Sequence, residues 1–310
     1  MTPHRPTRRR FLTIAASALA LGCNTLRDRA AAAADVRWRG IAFGADVSIT
    51  LRDADADAAA ATLEAVRGEI ARMEALFNLF DPGSALSRLN AEGTLDADAT
   101  FRTLLDAASA LHGVTEGLFD PTVQPLWRAL STGGDVEAAR ALIGVRRIER
   151  IDSRIRIAPG MALTFNGIAQ GFASDAIADL LRARGYQQAL VNIGEYAALG
   201  APWRLGIANP EGILLDEIAL GDSCIATSSA GAMLIGRYGQ SHILGPGGES
   251  AAHATVSVVA NRATLADALS TALILAEETQ ARRIFASSGA QEARFYDAAG
   301  RRTLRLVRPA

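Results

Sequence analysis

Apolar residues recur with two periods along this chain of 310 residues, and the two periods sort it into helices and strands. Leu63, Val66, Ile70, Met73 and Phe77 fall at helical spacing and predict one long helix over 54–80, stopped by Asp81-Pro82-Gly83-Ser84. Ser84 is placed to cap a short helix running to Asn90. Phe101, Leu104, Leu105 and Ala108 predict a helix over 100–111, and further helices are expected up to Arg184 and over 281–286. Leu265, Leu269, Ala272 and Leu273 mark another. Shorter apolar runs predict strands at 36–43 and 46–51 with Gly44 at the break, and a hairpin of 155–157 with 162–165 around Pro159-Gly160. Strands are also expected at 189–193, 203–208, 217–220, 224–227, 241–244 and 255–260, with a closing hairpin of 293–296 and 303–307. Thr227-Ser228-Ser229-Ala230-Gly231 reads as a small hydroxyl-rich turn, and 117–127 as a rigid corner whose two prolines, four apart, forbid an ordinary helix. Strands in hairpins and helices in blocks argue α+β with antiparallel sheet.

The amino terminus breaks the pattern. Thr7-Arg8-Arg9-Arg10-Phe11-Leu12 precedes an apolar run from Ile14 to Gly22, too short to stay in a membrane as an anchor. The paired arginines before Phe-Leu resemble a twin-arginine export signal, with cleavage expected near Ala34. The expected organisation is therefore an export signal over 1–34, one functional domain over 35–310, and a periplasmic location. Leu21-Gly22-Cys23 offers the alternative of a lipid anchor at Cys23 on the inner membrane.

Charge narrows the partners. The chain contains no Lys, so every basic side chain is Arg. Loss of 1–34 removes six Arg and one Asp from 32 basic and 33 acidic residues, leaving 26 against 32 and a net charge of −6. That sign disfavours nucleic acid. Cys224 alone would remain, in an apolar run that suits packing more than chemistry.

The chemistry concentrates in one helix. Asp267 and Thr271 stand four apart and share a face, a carboxylate above a hydroxyl, as a hard cation such as Mg2+ requires. The competing structural reading makes Asp267 a first-turn acid and Thr271 a hydroxyl bonded back to its own helix. Asn166-Gly167-Ile168-Ala169-Gln170-Gly171 opens a helix after an apolar run, an order that can present free N–H groups to a phosphate or merely allow close packing. Asp120, beside Pro121 in the rigid corner, suits an Asx turn in a structural loop, and spacing alone leaves that reading open.

Seven stretches in this order resemble the ApbE family of FAD:protein FMN transferases. They are LFNLFDPGSALSRLN (76–90), GLFDPTVQPLW (117–127), FNGIAQGFASDAIADLL (165–181), ALVNIGE (189–195), IATSSAG (225–231), SHILGP (241–246) and VSVVANRATLADALSTAL (256–273). The resemblance implies a T-fold-like α+β fold of antiparallel sheets packed with helices, with FAD as substrate and Mg2+ as cofactor. It implies transfer of FMN to a Thr or Ser hydroxyl of a client protein, with AMP released. By position it implies metal ligation by Asp267, Thr271 and the carbonyl of Gly167. It implies flavin contacts from Phe43, Phe80, Phe119, Asp120, Pro121, Thr164 and Gln170. His242 is implied as the catalytic base, against the alternative of a strand-end histidine bonded to backbone. Asn192-Ile193-Gly194-Glu195-Tyr196 with Thr227-Ser228-Ser229 resembles the exported branch linked to nitrous oxide respiration, which implies a membrane flavoprotein as client.

The sequence also departs from the family pattern. Phe43-Gly44-Ala45 replaces M-G-T, Thr164 stands where Asp is usual, Gln170 where Lys or Glu is usual, and Gly194-Glu195-Tyr196 replaces G-G-D. Thr227-Ser228-Ser229 replaces T-S-G, and Pro246-Gly247-Gly248-Glu249 replaces P-x-T-G. These changes keep two alternatives open: an exported protein that binds or delivers FAD without catalysis, and a Mg2+-dependent FAD pyrophosphatase.

Overall fold

The computed structural model describes residues 35–200 and 202–309; the expected export signal and Cys23 lie outside the described residues. Strands β1 (Val36–Ala42) and β2 (Ala45–Leu51) lead into helices α1 (Ala56–Phe77) and α2 (Ala85–Glu92). Next come β3 (Thr94–Asp96), α3 (Ala99–Val114), α4 (Gln124–Thr132), α5 (Val136–Arg140), β4 (Glu149–Ile151), β5 (Arg154–Arg156) and α6 (Ala169–Ala183). Strands β6 (Ala189–Asn192), β7 (Tyr196–Leu199), β8 (Trp203–Ala208), β9 (Leu214–Leu220) and β10 (Cys224–Ser229) follow, then β11 (Leu234–Ile235), β12 (Gln240–Ser241) and β13 (Thr255–Ala260). The chain ends through α7 (Ala263–Leu273), α8 (Glu278–Ser288), β14 (Glu292–Tyr296) and β15 (Arg302–Val307).

Eight strands form one sheet in the order β1-β2-β6-β7-β10-β13-β14-β15, and every neighbouring pair is antiparallel. One face buries the main core under α1, α6 and α7. The other is covered by the β8–β9 ribbon over a smaller cluster that includes Tyr196, Trp203 and Tyr296. Of the stripe read from the α1 sequence, Val66, Ile70, Met73 and Phe77 are inside, joined by Ala59 and Thr62, while Leu63 is only half-buried at the edge of the core. Phe77 meets Phe165 and Phe172 edge-on at 5.8 and 5.9 Å, tying α1 to the α6 segment. Ser84 caps α2 as expected, its side chain accepting from Ser87 N–H at 3.1 Å.

Four expectations fail for identifiable reasons. Residues 162–165 form no strand, because side chains claim their backbone: Leu163 exchanges two bonds with the Asn90 amide (2.7 and 2.8 Å). Its neighbour Thr164 donates N–H to the Pro121 carbonyl at 2.7 Å. Strand β5 pairs instead with β3 and β4. The corner at 117–127 stops at Val123, and Pro125 sits in the first turn of α4, where a missing N–H costs nothing. Thr227–Ser229 are not a turn but the end of β10, matched hydroxyl to hydroxyl with β13: Thr227 to Ser257 at 2.8 Å and Ser229 to Thr255 at 2.9 Å. The strand expected at 241–244 closes at Ser241, and His242 leaves it. An unexpected hairpin joins β6 to β7 through Ile193-Gly194-Glu195.

Candidate active site

The site begins where two segments cross at unusually short range. Gly167, Gly171 and Asp175 face Thr271, Asp267 and Ala263, so the chains run antiparallel in steps of four residues. A Cβ on Gly171 would stand 2.4 Å from the Ala263 carbonyl oxygen and 2.8 Å from Asp267 Cβ; one on Gly167 would stand 2.8 Å from Thr271 Oγ1. Helix α7 has no side-chain cap of its own. Asp175 supplies one from α6, accepting from Ala263 N–H (2.8 Å) and Thr264 N–H (2.9 Å). Gly171 N–H is not available to a phosphate: it is spent on Asp267 Oδ2, at 3.0 Å.

Asp267 is not a first-turn acid. It lies one turn inside α7 and is only 4% exposed. Burial, with the nearby Asp175 charge, pushes its carboxyl up to about 7, against the pull of the Gly171 N–H. Glu195 is equally buried, and desolvation plus the Asp267 charge hold its carboxyl well above the usual range. Its Oε2 accepts from Thr227 N–H at 3.2 Å. Thr271 Oγ1 lies 3.4 Å from Ser228 Oγ, which bonds Ser270 Oγ at 2.8 Å. Two carboxylates, two hydroxyls and the Gly167 backbone thus meet in a place that charges them reluctantly.

This corner is the floor of a cleft of about 1290 Å3, open mouth included. The cleft gathers all eleven residues singled out in the sequence: Phe43, Phe80, Phe119, Asp120, Pro121, Thr164, Gly167, Gln170, His242, Asp267 and Thr271. Phe43 occupies the β1–β2 turn with φ 48°, a strained angle for a bulky residue, and its N–H is held by Glu74 at 2.8 Å. Asp120 does form the Asx turn, accepting from Thr122 N–H at 2.7 Å, yet it also faces the cleft. Gln170 is 8% exposed, and its Nε2 is a buried donor without a hydrogen-bond acceptor. It packs where Gly194, at φ +98°, has no side chain.

His242 Nδ1 lies 3.0 Å from the Met233 carbonyl, which can only accept, so this nitrogen carries the proton and Nε2 keeps its lone pair. Burial lowers the imidazole below its ordinary pKa, so the neutral ring is the form present near pH 7. His253 is turned away toward Ala276 O, and Cys224 is a buried packing thiol pushed up to about 12 by burial. The sequence reading passed over Glu195, Thr227 and Ser228 as cleft residues. A single acid within the apolar run Leu190–Leu199 was the available signal for Glu195.

Among the described residues no group of three or more His, Cys, Asp and Glu is placed to hold a metal ion. An ion here would rest on fewer than three such side chains, completed by hydroxyl and carbonyl oxygens. Asp267, Thr271 and Gly167 are such an oxygen-only set, and the buried acids around them call for a cation; the residues fit Mg2+.

The structure is that of an α+β protein with a cleft floored by buried acids. The chain belongs to the ApbE family, whose model matches residues 43–295. Relatives described as FAD:protein FMN transferases include one from Salmonella typhimurium, 24% identical over 90% of each chain, and one from Treponema pallidum, 28% identical over 68% of this chain and 70% of that one. A Vibrio cholerae relative of the same description is 30% identical over 47% of this chain, and the match spans about half its length (51%). The crystal structure of the Pseudomonas stutzeri flavinyl transferase ApbE, apo form, superposes with a TM-score of 0.76 and 26% identity over 88% of this chain and 94% of that one.

Proposed function

We propose that the protein transfers FMN from FAD to a Thr or Ser hydroxyl of a client flavoprotein, releasing AMP, with Mg2+ as cofactor. The observation that carries the reading is the convergence of eleven residues from scattered segments on one cleft whose floor is the buried Asp267. Asp267, Thr271 and the Gly167 carbonyl would hold the ion. When bound, it neutralises the diphosphate and stabilises the departing AMP phosphate. Phe43, Phe80, Phe119 and Pro121 offer apolar walls for the flavin ring; Asp120, Thr164 and Gln170 offer polar contacts. Nε2 of His242 takes the proton of the client hydroxyl as its oxygen attacks the FMN phosphorus and the bond to AMP breaks. Export to the periplasm with cleavage near Ala34, and a membrane flavoprotein as client, belong to the same proposal and rest on the amino-terminal sequence and the family resemblance; a lipid at Cys23 is the alternative to that cleavage.

The test is AMP release from FAD with and without a client, alongside the FMN mass shift on the client. Asp267→Ala should abolish both the shift and the client-dependent AMP. Full activity in that variant removes the metal role, and AMP with free FMN in the absence of any client favours the pyrophosphatase.

A further inference from the structure

The cleft handles the dinucleotide, but a protein substrate needs a surface of its own. Four of the large apolar side chains most exposed to solvent stand in loops and hairpins whose neighbours line this cleft: Ile41 (76%), Phe80 (49%), Leu234 (61%) and Tyr238 (74%). Leu234 and Tyr238 belong to the β11–β12 hairpin. Its base is fixed to the histidine, since His242 N–H and Nδ1 both bond the Met233 carbonyl. Its body is fixed to α4: Ile235 is buried, and Gly236 (φ +67°) passes so near that a Cβ would stand 2.5 Å from the Leu130 carbonyl oxygen. The tip, by contrast, is bare. Arg237 stacks on the Tyr238 ring at 4.6 Å, and it belongs to none of the ion pairs among the described residues. Neither strand pairs with any other strand among the described residues, which leaves outer edges open.

We propose that the tip of this hairpin is the client-docking surface, and that its partner is an extended client segment bearing an apolar and an acidic side chain near the acceptor hydroxyl. The apolar pair and the unmatched guanidinium supply the two contacts. An extended segment suits a free strand edge. Tyr238 stands four residues from His242, at most about 14 Å of chain, so a client held at the tip brings a hydroxyl a few residues away to Nε2. Because the hairpin hangs from the histidine's own hydrogen bonds, docking and proton removal share one rigid element.

This inference rests on the flavin-transfer reading above, and the experiment separates the two. The full chain, with FAD and Mg2+, is given increasing amounts of the flavoprotein client of the Vibrio cholerae relative, and covalent flavin on the client is followed by mass and in-gel fluorescence. FAD affinity is measured separately by flavin fluorescence. Leu234→Ser with Tyr238→Ser should raise the KM for client about tenfold or more. Arg237→Glu should raise it several-fold, most at low salt. Turnover at saturating client and FAD affinity should stay at the wild-type values, as should every parameter of Ile213→Ser, an equally exposed apolar residue (61%) beyond the cleft rim. An unchanged client KM in the hairpin variants overturns the inference, and so does a parallel loss of FAD affinity. No transfer by the wild type defeats the function itself.

Discussion

Gly171→Ala puts the crossing of α6 and α7 to the test. In an ordinary helix the substitution stabilises by about 0.5–1 kcal/mol. Here the added carbon would sit 2.4 Å from the Ala263 carbonyl oxygen, about 1 Å short of the 3.4 Å at which ordinary contact begins, and 2.8 Å from Asp267 Cβ. Both obstacles are close to backbone, so no flexible side chain can swing away. Overpacking of this kind costs about 1–3 kcal/mol, and it outweighs the helix gain to leave a net loss of about 1–2 kcal/mol. For a domain of this size that is a fall in Tm of about 2–6 °C. The same displacement moves Asp267, and a shift approaching 1 Å at such a group costs on the order of a hundredfold in turnover. Scanning calorimetry and AMP release on the purified variant measure the two effects. Gly68→Ala in α1 is the control, because nothing lies within 4 Å of its added carbon, and it should melt slightly higher than wild type. A Gly171→Ala protein as stable as the control would refute the claim that this glycine is required by close approach.

Asp267 carries a pH signature. Its carboxyl is raised to about 7, so between pH 4 and 7 the folded chain keeps a proton that the unfolded chain has lost. Ligand-free protein should therefore lose stability as pH climbs through that window; Asp267→Asn should flatten the slope, melt several degrees higher at pH 8, and fail to transfer flavin. His242→Ala should slow client-dependent AMP release about 10²–10⁴-fold while FAD binding holds. Since burial lowers the His242 pKa, the acid limb of the wild-type rate profile should lie below 6.5. Asn90→Ala strips both backbone bonds from Leu163 and should cost about 2–4 kcal/mol in urea melts. Chelation of divalent ions should stop transfer, and added Mg2+ should restore it.

Periodicity located the elements whose stability is local. The α1 stripe, the Ser84 cap and the whole of β13 were legible because each follows from neighbouring residues. What the sequence concealed depends on partners far along the chain. Residues 162–165 look like a strand, and only the amide of Asn90, 73 positions away, explains why they are not. Thr227–Ser229 look like a turn until Thr255 and Ser257 are set opposite. Asp267 and Thr271 could be paired from spacing alone and Gly167 joined to them by the family resemblance, but the partner of Asp267 at Gly171, 96 positions away, came only from geometry. Glu195 stood in the sequence only as a departure from the family pattern, because its place in the cleft depends on Thr227, 32 positions away.

The cap that Asp175 places on α7 has a cost elsewhere. The amino end of that helix, whose amides if bare would suit a phosphate, is occupied by the protein's own acid. With Gly171 N–H likewise engaged, and the Arg262 guanidinium paired to Asp175 (3.3 Å) and Asp179 (2.8 Å), this crossing has little uncompensated positive charge to offer a dinucleotide. On the function proposed here the deficit must be made up from solution, so the enzyme's output would follow the free divalent ion of the compartment around it.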